Sequence, residues 1–264
     1  MPRLRSRKDS AGGAKRSHRL AAREAFRVLR SNLLVAISDL ANPSVVVTSA
    51  YSREGKTSTC VNLAGSLASA GPRVVLVDLD LRNPDSHNLL GAHNETGVSD
   101  VLLDRRSLES CLQYVELPAT DGGQPPAGMY FLATGPQVAN PTELLATSRT
   151  GRLLEALATQ ADIVLLDTPP VLPVADTLVI GRLVAGAVLV VEARRTPVPA
   201  VQRAKDALTR NQTRLLGVVL NKFRRKFASA DETSYGFGYG YGYGYGGDAG
   251  ALAGTGSKSD VAGA

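Results

Sequence analysis

The sequence predicts a doubly wound α/β domain with a mainly parallel sheet. Short apolar runs alternate with helix-length amphipathic segments over most of the 264 residues, and this alternation is typical of a parallel sheet with helices on both faces. Three of the apolar runs end in polar turns, at residues 49–57, 78–82 and 167–170. Because ligands of open α/β sheets bind outside the carboxyl ends of the strands, these turns are the expected site.

The composition favours a globular domain and argues against a membrane-spanning or secreted protein. Apolar residues make up 44% of the chain, enough for the core of one domain. Cys60 and Cys111 lack metal or redox spacing, which favours a reducing compartment, and Cys60 is expected to pack as an ordinary buried thiol. The longest apolar run, 183–191, is too short for a membrane span, and no apolar segment of a secretory signal follows the basic N-terminus. We therefore expect a cytoplasmic protein.

Positive charge is concentrated at the N-terminus. Residues 1–30 carry ten Lys/Arg and two Asp/Glu, a net +8, while the whole chain is +6, so the remainder nets to −2. The pI of about 9.5 therefore reflects the basic N-terminal segment. The rest of the chain lacks the positive charge expected of a nucleic-acid-binding domain. Residues 1–19 are low in apolar content and are predicted to be disordered. Two interpretations stay open: attraction to anionic lipid headgroups, at about 1 kcal/mol per basic residue, or a solvated leader without a partner.

A helix is predicted over residues 20–40, before Pro43 interrupts the chain. Its apolar residues recur at spacings of three and four, which places them on one face. They are Ala22, Phe26, Leu29, Leu33, Ile37 and Leu40. Glu24, Arg27 and Arg30 lie three residues apart on the flank, in the pattern E-x-x-R-x-x-R. Such a charge run is usually a solvated face.

A phosphate-binding loop is predicted after the β-branched strand 44–48. The stretch matches G-x-x-x-x-G-K-[ST], with Ala50 in place of the first glycine, and it leads into a predicted helix over 57–70. Loop N–H groups and the helix N-terminus attract phosphate, Lys56 reaches the β- and γ-phosphates, and the Thr57 hydroxyl can ligate Mg²⁺. The predicted nucleotide contacts in this loop are Arg53, Glu54, Gly55, Lys56, Thr57 and Ser58.

Carboxylates end two further predicted strands. Asp78 and Asp80 follow strand 74–77, with Arg82 just beyond. Strand 162–167 ends in Asp167 before Thr-Pro-Pro, a Walker B pattern whose carboxylate holds Mg²⁺ through water. Paired carboxylates are costly to bury without a cation, so Mg²⁺ is the natural occupant, with Thr57, Asp80 and Asp167 as its expected ligands.

The remaining pattern completes the alternation of strands and helices. Residues 121–128 are expected to form an exposed loop. The other predicted helices are 99–103, 108–111, 143–160, 174–184 and 198–210, and the other predicted strands are 129–133, 187–192 and 215–220.

Together the three motifs resemble those of the bacterial tyrosine kinases, the cytoplasmic kinases that regulate capsule and exopolysaccharide export. The resemblance runs from about residue 24 to residue 221 and includes EAFRVLRSNL, GPQVANPTELL and LLGVVLN. It implies a P-loop NTPase fold of the Min/Par-related superfamily, with ATP and Mg²⁺ as cofactors. The chain departs from the family at residues 50–53, where many members have Gly or Pro. Tyr51 stands where related partition ATPases have a signature lysine, which weakens that alternative.

The resemblance also implies roles for individual residues. Catalytic roles fall on Lys56, Asp78, Asp80, Arg82 and Asp167. Asp78 or Asp80 would orient or deprotonate the incoming tyrosine hydroxyl; the family favours Asp80, and the sequence itself leaves both open. Asn221 corresponds to an adenine-contacting asparagine. The motif formed by Glu24, Arg27 and Arg30 corresponds to one that assembles a ring-like oligomer.

The C-terminal segment alternates Gly and Tyr after a basic patch at 222–226. Such a segment cannot pack a core and is predicted to be flexible, with exposed hydroxyls. On a kinase it resembles the family's autophosphorylated tyrosine cluster; the alternative is an unmodified low-complexity segment. The predicted phosphoacceptors are Tyr235, Tyr239, Tyr241, Tyr243 and Tyr245.

We therefore expect three regions: a basic arm at 1–19, a kinase domain at 20–226 and a tyrosine-rich tail at 227–264. The expected partners are other copies of the chain in a ring, a membrane-bound activator protein and a phosphotyrosine phosphatase, with no nucleic acid. Such an activator would hold the kinase at the inner face of the plasma membrane. Two alternatives stay open: a partition or positioning ATPase without kinase activity, and a non-enzymatic scaffold shaped by nucleotide.

Overall fold

A computed structural model of the chain describes residues 7–40, 43–117 and 127–223. It divides the chain into two units, 1–223 and 224–264, of which the second lies outside the described residues. The predicted phosphoacceptor tyrosines therefore lie outside them as well, as does most of the predicted loop 121–128.

The described residues form seven strands and nine helices. The strands are β1 (Ser44–Ser49), β2 (Val74–Asp78), β3 (Leu112–Glu116), β4 (Gly128–Leu132), β5 (Ile163–Asp167), β6 (Gly186–Glu192) and β7 (Leu215–Asn221). The helices are α1 (Arg7–Ala36), α2 (Lys56–Ala68), α3 (Ser86–Leu90), α4 (Val98–Leu102), α5 (Leu108–Cys111), α6 (Pro141–Leu145), α7 (Ser148–Gln160), α8 (Asp176–Gly181) and α9 (Val198–Arg210).

The sheet has the order β3-β4-β2-β5-β1-β6-β7. Every neighbouring pair is parallel except β3 with β4, which confirms the predicted doubly wound, mainly parallel architecture. All residues of β1, β2 and β5 are buried, as expected for parallel strands covered on both faces. These three strands are adjacent, so the three turns that follow them meet at one edge of the sheet.

Helices cover both faces of the sheet. On one face, α1 and α2 pack through Leu33, Ile37 and Leu63 against alternate residues of the strands, such as Val45 and Phe131. On the other face, the side chains of α7, α8 and α9 pack against the intervening strand residues. Cys60 and Cys111 are both buried, and Cys60 packs within the first of these cores, as expected.

Several element boundaries differ from those predicted. Helix α1 begins at Arg7, within the segment predicted to be disordered, and the predicted helix 174–184 is limited to α8. The predicted helix 143–160 is two helices, because Thr147 adopts an extended conformation as the N-cap of α7. Strand β3 was not predicted; it pairs antiparallel with β4 and alternates between half-buried and exposed residues over only five positions. Among the described helices, none is long and apolar enough to cross a membrane.

Candidate active site

The site forms where β1, β2 and β5 end side by side. Asp78 at the end of β2 lies opposite Asp167 at the end of β5 in the strand register. Just beyond the register, the N–H of Leu79 donates to the carbonyl oxygen of Asp167 over 2.7 Å. The phosphate loop after β1 begins at the neighbouring strand end. Three segments widely separated in the sequence therefore contribute to one site.

Gly55 gives the phosphate loop its turn into α2. It is the N-cap of that helix and has φ of +92°, in the left-handed region that favours glycine. A Cβ atom on Gly55 would lie 2.1 Å from Nδ2 of Asn221, so the Asn221 amide would have to move away from the loop. The backbone conformation therefore requires glycine, and the close approach of Asn221 adds to the preference.

Gly55→Ala should therefore damage nucleotide binding and stability together. We expect ATP affinity to fall at least about tenfold and the free energy of unfolding to fall by about 1–3 kcal/mol, because a strained backbone and a clash are introduced. ATP titration and urea unfolding measure the two effects. Gly151→Ala in α7 is the matched control: its Cβ would meet nothing within 4 Å, and it should leave both quantities near wild type or slightly stabilise the helix. Unchanged ATP affinity in Gly55→Ala would contradict the assigned loop geometry.

The buried side chain of Glu54 organises the loop from within. Glu54 is only 4% exposed. Its Oε2 accepts a hydrogen bond from the N–H of Tyr51 over 2.9 Å, and its Oε1 accepts one from the hydroxyl of Thr196, in the turn between β6 and α9. The carboxylate therefore links the first half of the loop to the turn that follows the neighbouring strand β6.

Two residues at the end of β7 hold the loop backbone. Nδ2 of Asn221 donates to the carbonyl oxygen of Glu54 over 2.9 Å, and Nζ of Lys222 donates to that of Arg53 over 2.7 Å. Lys222 also forms an ion pair of 2.9 Å with Glu192. Ala50, which stands in place of the first glycine of the motif, is fully buried. The amide of Asn221, predicted to contact adenine, is bonded to the loop backbone.

Lys56 lies among carboxylates. Its Nζ is 2.8 Å from Oδ2 of Asp80, 3.5 Å from Oδ1 of Asp167, and within 3.3 Å of the hydroxyl of Thr57. Burial alone would lower the pKa of Lys56, but the carboxylates of Asp167 and Asp80 outweigh it and raise the pKa above its usual value. Lys56 is therefore a fixed positive charge in the site.

The two carboxylates that follow β2 have different surroundings. Both oxygens of Asp78 accept backbone N–H groups, those of Asp80 and Ser86, each over 3.1 Å. Burial, together with the nearby charge of Asp167, raises the pKa of Asp78 to about 8. Asp80 accepts the N–H of Asn83 on Oδ1, and its Oδ2 binds Lys56. Asp78 is thus bound to the backbone of its own turn, and Asp80 to the phosphate-binding lysine.

Asp167 has one oxygen available for another ligand. Its Oδ2 accepts the hydroxyl of Ser86 over 3.0 Å, whereas its buried Oδ1 has no hydrogen-bond partner among the described residues. Burial raises the pKa of Asp167 and the charge of Lys56 partly offsets this. This oxygen lies 3.5 Å from Nζ of Lys56 and makes no hydrogen bond within the described residues, which fits Mg²⁺ or a water bound to it.

The described residues contain no group of three or more His, Cys, Asp or Glu arranged to hold a metal ion by themselves. This is compatible with Mg²⁺, which is commonly bound through one or two carboxylates together with substrate phosphates and waters. Thr57, Asp80 and Asp167 are the residues that would hold it.

Arg82, a predicted catalytic residue, is engaged away from the lysine. Its Nε and Nη2 donate to the two oxygens of Asp176 over 2.7 and 3.1 Å, and Nη2 also donates to the hydroxyl of Thr142 over 2.9 Å. Asp176 is fully buried and also accepts the hydroxyl of Thr142. Arg82 ties the turn after β2 to α6 and α8, so its contacts position the site.

The predicted oligomerisation residues do not share one environment. Glu24 and Arg27 form an exposed ion pair of 3.3 Å along α1. Arg30 is partly buried, and its Nη1 donates to the carbonyl oxygen of Ser66 in α2 over 2.9 Å. Arg30 therefore also holds α1 on the domain.

Three residues that contact the site were not predicted from the sequence: Ser86, Thr196 and Lys222. Ser86 follows the carboxylate motif closely, so its proximity was a usable signal. Thr196 and Lys222 contact the loop across 142 and 169 residues of sequence, and nothing in their local pattern indicates this. Of the other predicted nucleotide contacts, Arg53 and Ser58 are exposed at the loop and at the first turn of α2.

The chain is similar to known nucleotide-binding proteins and tyrosine kinases. Residues 45–234 match the family described as the CobQ/CobB/MinD/ParA nucleotide binding domain. The chain is 34% identical over 212 residues to the tyrosine-protein kinase YwqD of Bacillus subtilis, covering 80% of this chain and 85% of that protein. It is 33% identical over 212 residues to the tyrosine-protein kinase wzc of Salmonella typhi, of which it spans only 28%. The solved kinase domain of the Escherichia coli tyrosine kinase ETK matches with a TM-score of 0.72 and 32% identity, covering 84% of this chain and 80% of that one.

Proposed function

We propose that this chain, which belongs to the bacterial tyrosine kinases within the CobQ/CobB/MinD/ParA nucleotide-binding family, uses ATP to phosphorylate the tyrosine cluster of its own C-terminal segment. The observation that carries the proposal is the position of Lys56, bonded to Asp80 beside Asp167 at the ends of three adjacent strands. Phosphoryl transfer to a hydroxyl needs a cation that binds the transferred phosphate and a base that accepts the hydroxyl proton. Lys56 and the adjacent carboxylate can supply these two functions.

Binding of ATP would exchange the partners of Lys56. The loop N–H groups and Lys56 hold the β- and γ-phosphates, so the ammonium leaves Oδ2 of Asp80. Mg²⁺, held by Thr57, Asp80 and Asp167, would supply charge neutralisation at the phosphates. Positioning and charge stabilisation account for most of the catalysis in this class of reaction.

In the transfer step, a tyrosine oxygen forms a bond to the γ-phosphorus while the bond from that phosphorus to the β–γ bridging oxygen breaks. The phenol proton passes to a carboxylate, and ADP leaves. We assign that carboxylate to Asp80, because Asp78 already accepts two backbone N–H groups. Asp80 has one oxygen whose bonded partner, Lys56, moves to the nucleotide.

The proposed acceptors are the tyrosines of the Gly-Tyr segment, at positions 235–245. Transfer between copies of the chain is favoured because the E-x-x-R-x-x-R motif of α1 resembles one that assembles rings. We further propose a membrane-bound activator, a phosphatase that resets the tail, and a role at the inner face of the plasma membrane in regulating capsule or exopolysaccharide export. The relatives YwqD and wzc are both named as tyrosine-protein kinases.

Transfer in trans predicts a specific labelling pattern. Lys56→Met protein, which retains its tail, is mixed with an active chain that lacks residues 232–264. Phosphate should then appear on the tail of the inactive copy, because only the other copy can transfer it. Mass spectrometry of the tail peptide measures the result, and Lys56→Met incubated alone with ATP is the control. An unlabelled tail in the mixture, together with a labelled tail in wild type, would show transfer in cis.

The contacts of α1 predict that its charged residues differ in their effects on oligomer assembly and on the stability of the protomer. The double variant Glu24→Ala, Arg27→Ala should weaken the oligomer while leaving the unfolding free energy within about 0.5 kcal/mol of wild type, because this ion pair is exposed. Arg30→Ala should also destabilise the protomer, by about 1 kcal/mol, because Ser66 loses a charged donor. Native mass measurement and urea unfolding test both. An unaltered oligomer in a triple variant of Glu24, Arg27 and Arg30 would contradict the assignment.

A further inference from the structure

Tyr51 is a tyrosine on the phosphate loop that the proposed reaction does not use. Its backbone is fixed on both sides: the N–H donates to Oε2 of Glu54 over 2.9 Å, and the carbonyl oxygen accepts the hydroxyl of Ser49 over 2.6 Å. The residue is nevertheless 41% exposed. A rigidly placed, exposed phenol thus lies on the loop that binds the nucleotide phosphates.

An arginine holds the hydroxyl of Tyr51. Nη2 of Arg203, an exposed residue of α9, donates to the phenolic oxygen over 3.1 Å. A guanidinium one hydrogen bond away from this oxygen is already placed to bind a phosphate attached to it, since its planar donors match phosphate geometry. The two other tyrosines of the described residues, Tyr114 and Tyr130, have a different environment: their rings pack against each other with centroids 5.5 Å apart, on β3 and β4.

We propose that Tyr51 is a second phosphoacceptor of this kinase, modified by another copy of the chain; this rests on the proposed kinase function. The oxygen of Tyr51 forms a bond to the γ-phosphorus of ATP bound in the other copy. The bond from that phosphorus to the β–γ bridging oxygen breaks, the phenol proton passes to Asp80 of the donor copy, and ADP leaves. Transfer comes from another copy because the backbone of Tyr51 is fixed in its own loop and its hydroxyl is bonded to α9, outside the group around Lys56.

Phosphorylation here would limit further turnover. A phosphotyrosine adds about −1.5 to −2 charges to a loop whose task is to bind the anionic triphosphate. Arg203 would stabilise the modified side chain in place and neutralise only one of these charges. Repulsion between this phosphate and the triphosphate should weaken ATP binding about tenfold. Modification of Tyr51 therefore lowers the turnover of the kinase after it has phosphorylated its substrate.

The tryptic peptides of the full-length chain separate the two kinds of acceptor. Residues 31–53 contain no internal Lys or Arg and a single tyrosine, Tyr51, whereas the tail cluster lies in residues 227–258. After incubation with ATP and Mg²⁺, mass spectrometry should find phosphate on both peptides. Phosphate on the tail peptide with none on residues 31–53 overturns the inference and leaves the proposed function intact. Phosphate on neither overturns both.

A mixture of variants tests the direction and the consequence of the transfer. Lys56→Met protein supplies an intact Tyr51, and a Tyr51→Phe chain supplies the activity, so phosphate on residues 31–53 can arise only between copies. In wild type, preincubation with ATP should weaken ATP binding about tenfold, whereas Tyr51→Phe, with its tail equally exposed to modification, should show no such loss. Tyr114→Phe is the control and should behave as wild type. An equal loss of affinity in Tyr51→Phe would overturn the inhibitory role.

Discussion

Lys56→Met should reduce tyrosine phosphorylation by at least about a hundredfold, because the transferring phosphate loses its main side-chain cation. The same ammonium is the positive charge beside Asp80 and Asp167. Its removal leaves two buried carboxylates without this counter-charge, which lowers the stability of the fold. The variant should therefore stay folded with a lower unfolding free energy while losing nearly all turnover.

Phosphotyrosine measured after incubation with ATP, together with urea unfolding, separates loss of chemistry from loss of fold. Lys205→Met is the matched control, because it makes the same substitution at an exposed position of α9. The control should keep both activity and stability near wild type. Near-normal labelling of Lys56→Met would rule out the assigned phosphate site.

Asp80→Asn should reduce phosphoryl transfer by about 10²–10⁴-fold, the range usual for loss of a general base. The amide keeps an oxygen that can accept the N–H of Asn83, so the turn can retain its shape. Lys56 still has Asp167 as a partner. The loss should therefore appear in turnover and much less in unfolding.

Asp78→Asn is the comparison that separates the two carboxylates. Burial and the nearby charge of Asp167 raise the pKa of Asp78 to about 8, so a neutral amide in its place should change the charge of the site little at neutral pH. An amide can accept only one of the two backbone N–H groups bound by Asp78, so stability should fall by about 1–3 kcal/mol. Turnover measured on the remaining folded protein should fall less than in Asp80→Asn. The reverse order of the two variants would assign the base to Asp78.

The order of strands and helices followed largely from the sequence because the central strands are buried on both faces. Such strands appear as unbroken apolar runs, as in β1, β2 and β5, and each ends in a motif with a physical purpose. Strand β3 was not predicted because it is short, half exposed and directly follows the helical turn α5. Its identity as a strand depends on pairing with β4, which local pattern cannot show.

The site residues that lie within a local sequence motif could be predicted from the sequence. Lys56, Asp80 and Asp167 each lie in a recognisable motif, and adjacency of their strands brings them together. Partners at long sequence separation were not predictable. Arg82 lies within a motif, yet its contact with Asp176 spans 94 residues and engages it away from the lysine.

The location of phosphate on the chain itself is the most direct test of the proposed function. Full-length protein is incubated with ATP and Mg²⁺ and digested with trypsin, and the peptide of residues 227–258 is analysed by mass spectrometry beside the same peptide from Lys56→Met. A self-phosphorylating tyrosine kinase predicts phosphotyrosine on this peptide in wild type and none in the variant. ATP hydrolysis by wild type with no phosphotyrosine on the peptide would contradict it and identify an ATPase.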